Sequence, residues 1–134
     1  MITKFSPETV HETAGYSHVT ISEAGRLAHL AGQCPLDLAG RVVGEPGDHA
    51  AQTDQVIANC LAVLAAAGAA PEQVVRSVIY VVSAEPGVLS AVWARLNASP
   101  LAPAFTTAST LVGVASLGYT GQLVEIDLTA ALPD

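Results

Sequence analysis

The stretch Thr107–Asp127, TASTLVGVASLGYTGQLVEID, decides the fold. It reads as two β-branched runs, Thr107–Ser116 and Gln122–Ala130, joined by a turn that holds Gly118 and Gly121. Strands put alternate side chains on opposite faces. Val124, Ile126 and Leu128 therefore share one face, and Leu123, Glu125 and Asp127 share the other. The first is a core face. The second is either solvated, the ordinary meaning of charged residues on a strand, or lines a cleft with a fixed acid in it. The glycines read as a hairpin device rather than a phosphate loop, because no helix follows them.

Upstream, Val74–Val82 is almost continuously apolar and β-branched, broken by Arg76 and Ser77. This is the pattern of a strand buried on both faces. Before it, Asp48 is a good N-cap. Val56, Ile57, Cys60, Leu61 and Leu64 follow on one helical face, and Gly68 is placed to end that helix. After it, Val88, Leu89, Val92, Trp93 and Leu96 make a second amphipathic helix, ended by Pro100 and Pro103. Near the start, Met1–Phe5 alternates as a short strand, and 7–15 reads as loop. His18–Ile21 and Leu27–Gly32 read as a hairpin around the turn signal Glu23-Ala24-Gly25-Arg26. Residues 34–47, with two prolines and three glycines, read as loop with a brief extended piece at Arg41–Val43. The order is β-β-β-α-β-α-β-β in one domain, residues 1–134. The class is α+β (α/β): a mixed sheet of about six strands with two helices on one face. The other face must be polar or meet another subunit.

Composition bears on that choice. Hydrophobic residues make up 51% of the 134 and charged residues 13%, against about 25% charged in an average soluble domain. So few charges for a surface of roughly 6,600 Å² point to a closed, symmetric self-association that hides part of it. The net charge is −7, with one lysine. Arg26, Arg41, Arg76 and Arg95 are scattered, so neither nucleic acid nor an anionic membrane is an expected partner. No signal-peptide pattern is seen. Cys34 and Cys60 form no disulfide framework or metal motif. Both are expected reduced in a cytoplasmic protein. His11, His18 and His49 show no metal-ligand spacing.

Ordered segments of the chain resemble the Rid (YjgF, L-PSP) family of reactive-intermediate deaminases. They are Gly15-Tyr16-Ser17, His29-Leu30-Ala31-Gly32-Gln33 with Pro35-Leu36-Asp37, and Gln52-Thr53-Asp54-Gln55-Val56. They continue as Leu64-Ala65-Ala66-Ala67-Gly68, Val74-Val75-Arg76-Ser77-Val78-Ile79-Tyr80-Val81 and Leu123-Val124-Glu125-Ile126-Asp127. The resemblance implies a chorismate-mutase-like fold and a homotrimer with small-molecule clefts between neighbouring subunits. It also implies hydrolysis of imines and enamines of 2-amino acids to 2-oxo acids and ammonia, with no metal or cofactor. Glu125 would then point into the cleft as the catalytic acid–base. Tyr16 and Trp93 would wall it, and Gly32, Gln33 and Thr110 would orient the ligand. Tyr119 would line the cleft or cap the sheet edge.

One departure matters. Deaminating members carry an arginine for the substrate carboxylate on the strand before the GQLVEI segment. Here Ser109 stands in its place, and 106–110 hold no arginine. A serine makes one hydrogen bond where a guanidinium makes a charged, two-pronged contact. The expectations are thus a deaminase with altered substrate choice, acting on a less anionic substrate or holding its carboxylate by an arginine from elsewhere such as Arg26 or Arg95, or a binding trimer without catalysis. A ribonuclease ranks last. Leu111 stands where some members have a cleft cysteine. Cys34 sits beside the cleft or is an unreactive loop thiol, Cys60 is core, and His29 is a core or interface residue.

Overall fold

The computed structural model describes every residue except Ala24 and Asp134, so one residue of the expected Glu23–Arg26 turn lies outside the described residues. Six strands and two helices form in the expected order: β1 (Ile2–Phe5), β2 (Val19–Ser22), β3 (Leu27–His29), α1 (His49–Ala66), β4 (Val74–Val82), α2 (Pro86–Asn97), β5 (Ala108–Val114) and β6 (Val124–Ala131). Single 3-10 turns at Pro71–Gln73 and Ala102–Phe105 lead into β4 and β5. None of the described helices is long and apolar enough to cross a membrane.

The strands lie in two sheets rather than one: β1-β2, and β3-β6-β4-β5. A parallel bridge, Ser17↔Ala108, connects them. Two expected hairpins are absent. β2 pairs antiparallel with β1, and β3 pairs with β6, Leu27 opposite Ala131. β5 and β6 are not neighbours either; β4 lies between them, parallel to β5 and antiparallel to β6. The Gly118–Gly121 turn therefore carries the chain past β4. Local turn chemistry suggested neighbours, but burial chose them. Ala28 and Leu30 gain an apolar face only beside Ala130 and Leu128, to which Leu30 N–H bonds at 3.0 Å.

The alternation on β6 holds throughout: Val124, Ile126, Leu128 and Ala130 are buried, and the residues between them are half-exposed. β4 does the same, so it is buried on one face, not two. Both helices pack on the buried face. The core joins Val56, Cys60 and Leu64 of α1 with Val92 and Leu96 of α2, and with Ile79, Val81 and Phe105. The opposite sheet face, with Val78, Tyr80, Val112, Glu125 and Asp127, has no layer of the described residues over it. The chain exposes 7221 Å², about a tenth above the surface expected for its mass.

The helix ends follow from the sequence. Asp48 accepts a hydrogen bond from Ala51 N–H at 2.9 Å and caps α1. Gly68, at φ +82°, turns the chain away, and Ala69 N–H bonds back to the Leu64 carbonyl. A second tie was not foreseen. Gln52, buried in α1, donates to the Gly121 carbonyl at 2.9 Å and accepts from Leu123 N–H at 2.7 Å. One amide thus fixes the entry of β6 onto the helix. Gln52→Ala is expected to leave both backbone groups unpartnered and to lower unfolding stability by about 2–4 kcal/mol, read as a lower urea midpoint with an unchanged slope.

Candidate functional site

Glu125 leaves β6 on the face away from the helices, opposite Tyr80 of β4. Its other neighbour is the segment Gly32-Gln33-Cys34, which pairs with β6 through Gln33 N–H to the Ile126 carbonyl at 2.7 Å and the reverse bond at 3.1 Å. Two donors hold one carboxylate oxygen. Gln122 Nε2 donates to Glu125 Oε1 at 3.1 Å, and Cys34 Sγ at 3.3 Å. The other oxygen, Oε2, lies over Gly32, where a β-carbon would stand 2.2 Å from it. A β-carbon there would push the carboxylate aside, so Gly32 is what lets the acid lie against the backbone. Glu125 is half-buried, neither free in solvent nor enclosed.

The carboxylate leaves its mark on the thiol. Burial first, and then the hydrogen bond and negative charge of Glu125, push the Cys34 pKa up to about 11. Cys34 therefore stays an S–H donor to the acid at neutral pH. A cavity of about 450 Å³ opens beside this wall, lined by Gly32, Gln33, Cys34, Leu36, Asn59 and Tyr119. Tyr119 is exposed at its rim, and the Gln33 side chain folds back on the Ala31 carbonyl.

The remaining expected residues form a second wall. A cavity of about 450 Å³ is lined by Tyr16, Trp93, Ser109, Thr110 and Leu111, with Ala14 and Ser90. Trp93 builds it. Its indole N–H donates to the Ala14 carbonyl at 3.0 Å, and its ring stands edge-on between Tyr16 and Phe105, at 6.3 and 5.9 Å. Ser109 lines this wall, but its hydroxyl is engaged within the fold. It bonds to Ser77 Oγ and to the carbonyls of Thr107 and Phe105, and the strand register sets it beside Ser77 on the helix side. Thr110 faces the other way, on the face of Glu125.

Within one chain the two walls do not meet. β4 separates β6 from β5, which puts roughly 10 Å, two strand spacings, between Glu125 and the Thr110 strand. Neither expected arginine reaches either wall. Arg95 grips Asp54 with two bonds of 2.7 Å, which raises its own pKa and lowers that of Asp54. Arg26 donates to the Pro133 carbonyl beside a separate cavity with Met1 and Gln73. His29 is exposed on the uncovered face, opposite Thr129, and so is not core. Cys60 is buried, and burial pushes its pKa to about 12. Among the described residues, no three His, Cys, Asp or Glu side chains group as metal ligands.

The family model described as Endoribonuclease L-PSP matches residues 7–132. The crystal structure of YyfB from Yersinia pestis, a protein of unknown function in the conserved Rid protein family, is 38% identical, with TM-score 0.88 over 98% of both chains. YyfA of the same organism and family is 25% identical, with TM-score 0.68 over 98% of this chain and 100% of that one. Protein DfrA of Myxococcus xanthus is 42% identical over 65 residues, 48% of this chain and 49% of its own length.

Cys34 reports on the acid beside it. Its alkylation by iodoacetamide at pH 8 is expected to run far below that of an ordinary thiol. Glu125→Gln removes the charge that holds the proton, which lowers the thiol pKa and speeds labelling at least several-fold. Gly32→Ala, which displaces the carboxylate, is expected to do the same. Peptide mass spectrometry reads both, with Cys60 unlabelled in the folded protein.

Proposed function

This chain belongs to the Rid (YjgF/L-PSP) family, and on that premise we propose that it is a cofactor-independent hydrolase of small imines and enamines, working in clefts between copies of itself. The observation that carries the reading is the Glu125 carboxylate, clamped at Oε1 by Gln122 and Cys34 with Oε2 over Gly32. A carboxylate held this way can place a water and move its proton without first reorganising.

The step balances on this residue alone. Glu125 takes a proton from water as the oxygen bonds to the imine carbon and the C=N electron pair moves to nitrogen, and it passes that proton to the nitrogen to give the carbinolamine. Glu125 then takes the carbinolamine hydroxyl proton and delivers it to the nitrogen as the C–N bond breaks, so that ammonia leaves and the carbonyl forms. The second wall of a neighbouring copy supplies the rest of the cleft: Tyr16 and Trp93 as an aromatic boundary and Thr110 as a hydroxyl contact. The uncovered sheet face, with Val78, Tyr80 and Val112 half-exposed, supports a homotrimer, since it is apolar enough to need a cover. The proposed setting is the cytoplasm.

A non-catalytic binder is the second reading, favoured by Ser109: its hydroxyl is already engaged and offers a substrate carboxylate little. A ribonuclease gains nothing from the single lysine and the net charge of −7.

Wild type is expected to speed the loss of 2-iminobutanoate, generated by a dehydratase and trapped with semicarbazide, and Glu125→Gln to lose about a hundredfold of that rate. Decay no faster than the spontaneous reaction would leave the binder standing. Native mass spectrometry is expected to give a mass three times that of the chain; a monomer alone would remove the shared cleft.

A further inference from the structure

The cation missing from position 109 has a neighbour that the sequence motif does not point to. Arg76 leaves β4 in the row that pairs with Ala108 of β5 and Thr129 of β6. Its guanidinium lies across β5. Nη1 donates to the carbonyls of Ser77 at 3.2 Å and Ala108 at 3.1 Å, and Nη2 donates to Thr110 Oγ1 at 2.8 Å. Thr110 is itself part of the Tyr16–Trp93 wall. Its hydroxyl, and the charge bonded to it, stand on the sheet face of Glu125.

Two further facts make it available. Arg76 is exposed, and no ion pair joins it to an acid within 4.0 Å among the described residues. Asp127, one row along on the same face, is not paired with it. A guanidinium carries five N–H donors. The contacts above use three, which leaves Nε–H and one Nη2–H without a protein partner among the described residues. Of the other four cations, Arg95 is paired with Asp54, Arg26 donates to the Pro133 carbonyl and Lys4 to Thr106 Oγ1, and Arg41 lines neither wall.

We propose that Arg76 is the anion-binding residue of this site, reaching the cleft alongside Thr110 and replacing from β4 the contact that β5 lacks, so that the preferred ligands carry a carboxylate. The inference rests on the proposed function for the cleft itself, and what it adds is the residue that meets a substrate carboxylate there. The three contacts fix the planar group flat across the strands. A carboxylate arriving from the cleft then meets donors already oriented, which is the condition for a strong charge-assisted bond.

The test compares 2-oxobutanoate with its neutral isostere 2-oxobutanamide by calorimetric or NMR titration. Wild type is expected to bind the carboxylate at least tenfold more tightly. Arg76→Gln should lose about 10- to 100-fold for 2-oxobutanoate while amide binding stays within twofold. Arg76→Lys, which keeps the charge without the fork, should fall between. The proposal is overturned if wild type binds no 2-oxobutanoate or shows no preference, or if Arg76→Gln keeps the preference. It is equally overturned if that variant weakens both ligands alike and loses the oligomer in native mass spectrometry, since Arg76 would then be structural. Because binding is read without turnover, a protein that fails to hydrolyse 2-iminobutanoate but keeps an Arg76-dependent carboxylate preference would sink the hydrolase reading alone.

Discussion

The structure hangs on the two-residue period of β6. This strand is flanked on both sides, by β3 and β4, and must bury Val124, Ile126, Leu128 and Ala130 against the helices. A slip of one residue would drive Glu125 and Asp127 into that core and expose every apolar side chain in the strand. The acid's position is thus the geometric remainder of a hydrophobic requirement. The Gln52 amide reinforces it by fixing where β6 begins, since its partners are backbone groups at Gly121 and Leu123.

Around this acid the chain spends its small residues where large ones would fail. Gly32 leaves room for Oε2, and Gln122 and Cys34 take up Oε1 from two sides. The thiol and the carboxylate bias each other in a definite direction: a negative charge beside sulfur holds the proton on sulfur. Cys34 is therefore better understood as a donor that orients the acid than as a nucleophile. The second wall owes its form to Trp93, which pins the 14–16 loop by its indole N–H and leaves Tyr16 facing outward. Each wall is built within one chain, the acid on one and the aromatic pair on the other.

Much of this was legible in the sequence. The element order, the faces of both helices, the caps at Asp48 and Gly68 and the polarity of β6 all follow from spacing a few residues apart. The strand pairings do not. Short runs at 18–21 and 27–32 carry hairpin chemistry, yet each found its partner elsewhere in the chain, where more apolar surface could be covered. The Gly118–Gly121 turn misled for the same reason. Position 109 was read as the place where the family's arginine would stand. Its serine, however, was expected to meet ligand, and it turned out to bond Ser77 and the chain's own carbonyls. Arg76 was passed over because it looked like an interruption in a buried strand.

The sequence by itself determined what each segment is, because periodicity, caps and turn residues act over a handful of bonds. It also determined the family, through motifs that keep their order along the chain. Only the tertiary structure decided which segments lie side by side: that Cys34 meets Glu125 across 91 positions, that Arg76 reaches Thr110 across 34, and that the two walls stand on opposite sides of β4. Those placements come from the competition of all apolar faces for one shared interior, and no local stretch carries the outcome of that competition.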